Sequence, residues 1–160
     1  MNRLFAAKSI TVDAPADELF ELVSDPVTMA GFAEEAMAAR WLDGATRAAL
    51  GARFVGFNRN GWRRWQTHCR IIALEQGRRF AYDVSVPVLK VPISRWQYKI
   101  EPAGDGTCIV TESNWARVPV WFIPFAMLVT GVINRPGHNA ANIATTLERL
   151  KAHAESRAAR

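Results

Sequence analysis

Apolar and polar residues alternate along most of the middle of the chain. In the clearest run, Trp65, Thr67, Cys69 and Ile71 are separated by polar or charged residues. This period of two predicts a strand that packs one face against a core and leaves the other in water. Asn60-Gly61, just before this run, is typical of a tight hairpin. Similar alternation predicts further strands at 38–42, 51–59, 79–86, 95–101 and 107–114, and a short run rich in β-branched residues predicts a first strand at 8–12.

Two short helices are predicted directly after the first strand. Pro15 suits the first turn of a helix, and the acidic residues beside it suit the positive helix end. The apolar residues of 19–23 then form a helical stripe, which Asp25-Pro26 ends. Helical spacing of apolar residues predicts a second short helix over Val27–Glu34.

Helical spacing returns in the last quarter of the chain and predicts one long helix. Pro136-Gly137 is expected to kink or interrupt this helix near its start. Its apolar face consists of Ile133, Ala140, Ile143, Ala144, Leu147 and Leu150.

The order of these elements predicts an α+β fold. We expect a curved antiparallel sheet of about six to seven strands around a long C-terminal helix, with two short helices after the first strand. One helix cannot cover both faces of such a sheet, so the sheet curves around the helix and keeps its second face wet. The 160 residues are expected to form one domain, 1–160.

The amino-acid composition limits the classes of function expected for this chain. The chain has six Trp and eight Phe, which must pack in a core or line a site. The net charge of +5 is dispersed along the sequence, so we expect a solvated basic surface and no nucleic-acid partner. No Cys/His spacing typical of a metal site occurs, and we expect neither metal nor cofactor.

The location of the protein and the state of its cysteines are further expectations. Residues 1–8 lack the apolar run of a secretory signal, which favours a cytoplasmic protein. Cys69 and Cys108 fall in strand-like alternations, where buried reduced thiols are expected. A disulfide between neighbouring strands is the alternative.

The segment 118–133 is almost wholly apolar and reads VPVWFIPFAMLVTGVI. It is shorter than a membrane span and contains two prolines, so a buried or cavity-facing segment is expected. Contact with a membrane surface is one alternative. A homodimer contact is another, which would also cover Val55 and Phe57 on the outer face of the sheet.

Several local strings occur in an order that resembles a known superfamily. The chain is similar to the START superfamily, the helix-grip fold shared with the birch-pollen allergen, and within it to the polyketide cyclase/dehydrase and lipid-transport (SRPBCC) family. The resemblance covers roughly residues 8–154 and is specific for the fold rather than for a reaction. It is carried by ITVDAP at 10–15, LFELVSDP at 19–26, GARF at 51–54, PAGDGT at 102–107, TES at 111–113 and TLERLK at 146–151.

This resemblance implies a ligand cavity between the sheet and the long helix. The inward strand faces are rich in aromatic residues, and Gly137, Ala140 and Ala144 on the helix are small enough to leave room opposite them. Simple core packing is the alternative for each aromatic residue. The apolar residues predicted to contact a ligand are Phe54, Trp65, Phe80, Tyr82, Trp96, Tyr98, Phe125 and Ile133.

Five polar residues are candidates for the polar groups of such a site. Asn58, Asn114 and Asn142 are predicted to bind ligand, while Glu112 and His138 are the candidates for an acid or base. Three of these residues also have a purely structural alternative. In that alternative, Glu112 pairs with an arginine at the sheet rim, Asn58 caps the Asn60-Gly61 hairpin and His138 lies on the solvent face.

Three functions follow from these features. The first is binding or transport of a hydrophobic small molecule, lipid-like or polyketide-like, which needs only the cavity. The second is a polyketide cyclase or dehydratase that uses Glu112 or His138, although no catalytic motif is evident. The third is a membrane-surface or protein-interaction module that uses residues 118–133.

Overall fold

The computed structural model describes residues 2–158, and its strands and helices follow the predicted order. The elements are β1 Arg3–Val12, α1 Ala16–Val23, α2 Pro26–Ala30, β2 Ala36–Trp41, β3 Arg53–Asn60, β4 Arg63–Glu75, β5 Arg79–Ser85, β6 Pro92–Gly104, β7 Thr107–Ala116, a 3-10 turn Val120–Phe122, α3 Ile123–Thr130 and α4 Arg135–Ala158.

The seven strands form one antiparallel sheet in the order β1-β7-β6-β5-β4-β3-β2. Hairpins connect β3 to β4 and β6 to β7, the first of them at the predicted Asn60-Gly61 turn. Register shifts at 4–6 in β1 and 71–73 in β4 bend these strands. The predicted α+β class, with a curved sheet around a long C-terminal helix, is confirmed.

One hydrophobic core joins the sheet to α1 and α4. Leu147, Leu150 and Ala154 of α4 are fully buried in the same cluster as Val12 of β1 and Val110 of β7. Leu19, Phe20, Leu22 and Val23 of α1 complete it, as their predicted apolar stripe requires. At the surface beside this core, Lys151 links α4 to β1, because its Nζ donates to the Thr11 carbonyl at 2.6 Å.

The start of the long helix differs from the prediction. Helix α4 begins at Arg135, so Pro136 lies in its first turn and neither kinks nor interrupts it. The first turn of a helix contains backbone N–H groups with no helical acceptor, and a proline there loses nothing. Ile133 precedes the helix and is 84% exposed, so it does not belong to the buried face.

Several predicted element bounds are also wrong, including those of β1, α2 and β4, which ends at Glu75 rather than at residue 71. Strand β1 begins at Arg3 rather than residue 8, because its first half pairs with the end of β7, from Arg3 opposite Ala116 to Ala7 opposite Ser113. Helix α2 ends at Ala30 rather than Glu34. It starts at the Asp25 cap, whose Oδ1 accepts from the Val27 amide at 3.1 Å.

The segment 118–133 forms the 3-10 turn and α3, and only one of its sides is buried. Phe122 and Val132 are buried, as expected for a cavity-facing segment, whereas Val120 and Trp121 are exposed. Within residues 2–158, no helix combines the length and apolar composition needed to cross a bilayer.

The outer face of β3 was predicted to present Val55 and Phe57 to a homodimer partner, but the structure leaves little of this apolar surface exposed. Val55 is 2% exposed, lying in register between Arg40 of β2 and His68 of β4. Phe57 is half-buried, with the Arg40 guanidinium 5.9 Å from its ring centroid. Val55 is therefore unavailable for the predicted homodimer contact, and Phe57 is only partly available for it.

Candidate functional site

A cavity of about 520 Å³ lies between the inner face of the sheet and helices α2, α3 and α4. Its wall is mainly apolar, because inward positions of β3 to β6 carry aromatic rings and α2 contributes Met29 and Ala30. The aromatic lining consists of Phe5, Phe54, Trp65, Phe80, Tyr82, Trp96, Tyr98, Phe122 and Phe125.

The first half of α4 leaves room for this cavity, and the second half does not. Asn139, Asn142, Ile143 and Thr146 of α4 line the cavity. The predicted small residues do not produce the space. Gly137, Ala140 and Ala144 are absent from the lining, because α4 is rotated so that they lie beside the cavity or in solvent.

Glu112 is the buried carboxyl group of the cavity wall. It is 3% exposed, and Tyr98 Oη donates to its Oε1 at 2.8 Å. Oε2 is buried and has no hydrogen-bond partner among residues 2–158. Burial raises the pKa of Glu112 to about 8, against the lowering effect of the Tyr98 hydrogen bond. Glu112 therefore carries a proton at neutral pH and pairs with a tyrosine, not with an arginine at the sheet rim.

Two buried asparagines connect β7 to α4 next to this carboxyl group. Asn139 Nδ2 donates to Asn114 Oδ1 at 2.7 Å, and Asn114 Nδ2 donates to the Arg95 carbonyl at 3.2 Å. Asn114 is fully buried and Asn139 nearly so. The pair holds the start of α4 at a fixed position over the sheet, since each amide would otherwise be buried without a partner.

Asn58 lies on the opposite wall, on β3. Its Nδ2 donates to the Gly56 carbonyl at 3.3 Å and to Thr67 Oγ1 at 3.2 Å, so it does not cap the Asn60-Gly61 hairpin. Both bonds use its amide nitrogen. Gly56 makes room for this arrangement, because a Cβ there would lie 3.0 Å from Thr67 Oγ1.

A charged cluster closes the rim of the cavity where α4 begins. Arg135 Nη1 donates to Glu35 Oε1 and Oε2 at 2.8 and 2.9 Å, and His138 Nε2 lies 2.9 Å from Glu35 Oε1. His138 is partly exposed and lines a small polar pocket at the surface rather than the main cavity. This position gives no support to His138 as an acid or base acting inside the cavity.

The segment 118–133 forms the wall of the cavity mouth. It is fixed to the β3–β4 hairpin, because Arg63 Nε donates to the Leu128 carbonyl at 3.2 Å and Asn60 Nδ2 donates to the Thr130 carbonyl at 2.9 Å. Phe125 and Ile133 line the cavity and are also exposed, so they lie where it reaches the surface.

The cysteines and charged groups limit the chemistry available. Cys69 and Cys108 are buried free thiols, and no disulfide joins them. Burial raises the pKa of the Cys69 thiol to about 12, which makes it a poor nucleophile. Among residues 2–158, no three His, Cys, Asp or Glu side chains are arranged to hold a metal ion.

All predicted ligand-contacting residues line the cavity: Phe54, Asn58, Trp65, Phe80, Tyr82, Trp96, Tyr98, Asn114, Phe125, Ile133 and Asn142. That they bind a ligand stays a prediction. Sequence reasoning missed Asn139, Glu35 and Arg135. Asn139 precedes the cavity-lining Ile143 by one helical turn, a spacing that could have identified it.

A family model described as polyketide cyclase / dehydrase and lipid transport matches residues 6–155. The match covers most of the described chain, from β1 to α4. A comparison with curated proteins gives no match.

Solved structures with the same fold include single-domain and two-domain proteins. The di-domain ARO/CYC StfQ from the steffimycin biosynthetic pathway has a TM-score of 0.71 and 15% identity, over 96% of this chain and 51% of StfQ. The polyketide-cyclase-like protein of Corynebacterium glutamicum has a TM-score of 0.62 and 22% identity, over 98% of this chain and 95% of its own. A protein of Thermus thermophilus has a TM-score of 0.65 and 11% identity, over 95% of this chain and 97% of its own. The chain spans about half the length of StfQ, and these identities show the fold alone.

Proposed function

The chain belongs to the polyketide cyclase / dehydrase and lipid transport family, and we propose that it binds a hydrophobic small molecule in the cavity between the sheet and α4. The observation that carries this proposal is the cavity of about 520 Å³ with its mainly apolar, aromatic wall. Its volume lies within the range of small-molecule sites, roughly 300 to 1,000 Å³. The described chain acts as one ligand-binding unit, and the ligand is lipid-like or polyketide-like.

The polar groups in the wall limit the kind of ligand. Glu112 is protonated at neutral pH, so its free oxygen donates or accepts a hydrogen bond without placing a charge in the apolar interior. A ligand with a carbonyl or hydroxyl group at that position satisfies Glu112. A ligand with a carboxylate there would place its charge in the apolar wall, and the Arg135 guanidinium that lines the cavity at its rim is already bonded to Glu35.

Binding of N-phenyl-1-naphthylamine, a neutral fluorescent apolar probe, tests this proposal. Wild-type protein is expected to bind one probe molecule per chain with increased fluorescence. Ala39 lines the cavity on β2, so Ala39→Trp should weaken binding by about tenfold or more by filling part of the space. Ala7→Trp introduces the same side chain at an exposed position of β1 and should bind as wild type does. Equal loss in both variants, or no uptake by wild type, would refute the proposal.

A second candidate function, processing of a polyketide-like substrate, is favoured by Glu112 alone. A neutral carboxylic acid with a free oxygen in an apolar cavity can donate a proton to a substrate oxygen during cyclisation or dehydration. Tyr98 holds the other carboxyl oxygen, which orients the group. His138 has no part in this proposal, because it lies at the rim with Glu35.

Binding and processing are separated by Glu112→Gln. Incubation of the protein with a linear poly-β-ketone should yield cyclised products faster than buffer alone. Under the processing hypothesis, Glu112→Gln lowers that rate by about a hundredfold or more and leaves N-phenyl-1-naphthylamine affinity unchanged. Cyclisation at the buffer rate by wild-type protein refutes processing, and an unchanged rate in the variant refutes the role of Glu112 in it; neither result affects the binding proposal.

A further inference from the structure

One end of the sheet, here called the mouth end, consists of the hairpin 60–63, the loop 86–91 and the segment 118–133. The strand register brings these parts together, since Asn60 pairs with Arg63, Ser85 with Pro92, and Ser94 with Ala116. The first residues of β1 and β2 lie at the same end, because Arg3 pairs with Ala116 and Ala36 with Asn58.

The mouth end holds most of the exposed apolar surface of the protein. Of the fourteen exposed large apolar side chains in the described chain, all but Val27, Leu50 and Ile109 lie at this end. Trp62 at the hairpin tip is 81% exposed, and Trp121 beside α3 is 72% exposed. A concentration of exposed apolar side chains at one end marks an interaction site more often than scattered single residues do.

Five basic side chains at this end have no carboxylate partner among residues 2–158. Arg3, Arg59, Arg63, Arg64 and Lys90 lie there, and none of them forms an ion pair within residues 2–158. The nearby acids Glu34 and Glu35 are already paired with Arg149 and Arg135 of α4. The mouth end therefore presents apolar and cationic groups with no free negative charge among the described residues.

From this combination we propose that the mouth end docks on an anionic membrane surface. Tryptophan rings lie stably at the boundary between lipid headgroups and acyl chains, and Arg or Lys beside them attract acidic headgroups. Arg63 joins both features, since its guanidinium lies 4.4 Å from the Trp62 ring centroid. The cavity reaches the surface beside Phe125 and Ile133, so docking places the cavity opening against the lipid.

Charge decides between a membrane and a second copy of this chain as the occupant. Two copies that meet through their mouth ends would bring five unpaired cations on each side together in an apolar contact. Like charges opposed in a desolvated interface are unfavourable. An anionic bilayer supplies both the apolar layer and the opposite charge.

Co-sedimentation with phospholipid vesicles tests this inference. Wild-type protein should bind vesicles of 70% phosphatidylcholine and 30% phosphatidylglycerol much more strongly than pure phosphatidylcholine. Trp62→Ala and Trp121→Ala should each weaken binding by about tenfold, as expected when a large aromatic side chain no longer enters the interface. Arg64→Gln and Lys90→Gln should each weaken binding to anionic vesicles by about fivefold. Leu50→Ala removes an equally exposed apolar side chain at the opposite end and should bind as wild type does.

Three outcomes would overturn the inference. One is no binding of wild-type protein to the anionic vesicles. Another is equal loss in Leu50→Ala and Trp121→Ala. The third is a dimer in analytical ultracentrifugation that Trp121→Ala abolishes, combined with no vesicle binding. Because the probe titration above contains no lipid, none of these results bears on the cavity as a binding site.

Discussion

The two halves of helix α4 meet the same sheet in different ways. In the C-terminal half, Leu147, Leu150 and Ala154 are fully buried against apolar residues of β1 and β7. In the N-terminal half, Asn139 and Ile143 face a cavity instead. Polar side chains hold this half of the helix in place by hydrogen bonds without filling the space, as in the bond from Asn139 Nδ2 to Asn114 Oδ1.

The C-terminal half of α4 therefore contributes mainly to stability, and the N-terminal half mainly to ligand binding. A buried leucine in the packed half makes contacts that nothing replaces when it is removed. In the cavity half, an apolar ligand supplies contacts that the chain itself does not make. Substitutions in the two halves should therefore affect different measurements.

The largest effect is expected in the packed half. Leu150 is 0% exposed, and Leu150→Ala should lower the free energy of unfolding by about 2–5 kcal/mol, because the cavity that it leaves cannot close fully. Leu128→Ala, at a 70% exposed position of the mouth end, should cost less than about 0.5 kcal/mol. Urea unfolding measures both, and similar losses in the two variants would contradict the comparison.

The second prediction concerns pH and the cavity half. Glu112 keeps its proton in the folded protein up to about pH 8, while in the unfolded chain it loses the proton near its usual pKa of 4.5. The folded state therefore binds more protons at Glu112 between these values, so the contribution of Glu112 to stability is fully present below pH 4.5 and is lost as pH rises towards 8. The loss is at most about 1.4 kcal/mol per pH unit, or roughly 2–3 kcal/mol from pH 5 to pH 7.

Glu112→Gln isolates this contribution. The amide keeps an oxygen that can accept from Tyr98 but does not titrate, so the variant should lose less stability than wild type between pH 5 and pH 7. Urea unfolding at pH 5, 6 and 7 gives the two slopes. Identical slopes for wild type and variant would mean that the carboxyl group is ionised in the folded protein.

The third prediction concerns the asparagine pair that fixes the cavity half of α4. Asn114→Ala or Asn139→Ala alone should cost about 1–3 kcal/mol, because each leaves the other amide buried with an unused group. The double variant should cost less than the two single variants together, by about 1 kcal/mol. A double-mutant cycle measured by urea unfolding gives the coupling free energy between the two amides. Simple additivity of the two single losses would show that they are not coupled.

The smallest effect is expected at the rim. The Glu35 and Arg135 side chains are 20% and 27% exposed, and ion pairs accessible to solvent contribute little. Glu35→Gln should change the free energy of unfolding by less than about 1 kcal/mol. It should also leave N-phenyl-1-naphthylamine affinity within about twofold of wild type. A tenfold loss of probe affinity would place the rim inside the binding site.

Much of the fold could be predicted from the sequence because its signals are local. The strand between 64 and 71 shows a period of two, and Gly61 in the hairpin has a φ of +59°, which glycine adopts without strain. The helical stripe at 19–23 likewise identifies α1. Strand β1 was predicted too short because its first half is held by pairing with β7, a distant contact with no local signal.

The candidate site was predictable only in part, for a related reason. Alternation identified which face of each strand points inward, and hence Phe54, Trp96 and Glu112. The rotation of α4 depends on tertiary contacts such as the Asn139–Asn114 hydrogen bond, so Gly137 was wrongly expected to face the cavity. The partner of Glu112 could not be identified either, since Tyr98 is opposite it only through the β6–β7 register.

Intermolecular nuclear Overhauser effects between methyl groups of the protein and bound N-phenyl-1-naphthylamine show directly where the probe binds. We expect contacts from the probe to Met29 and Ile143, which line the cavity, and none to Leu147 or Leu150 in the packed half. Contacts confined to exposed side chains such as Val120 and Leu128, or contacts to Leu150, would contradict this expectation.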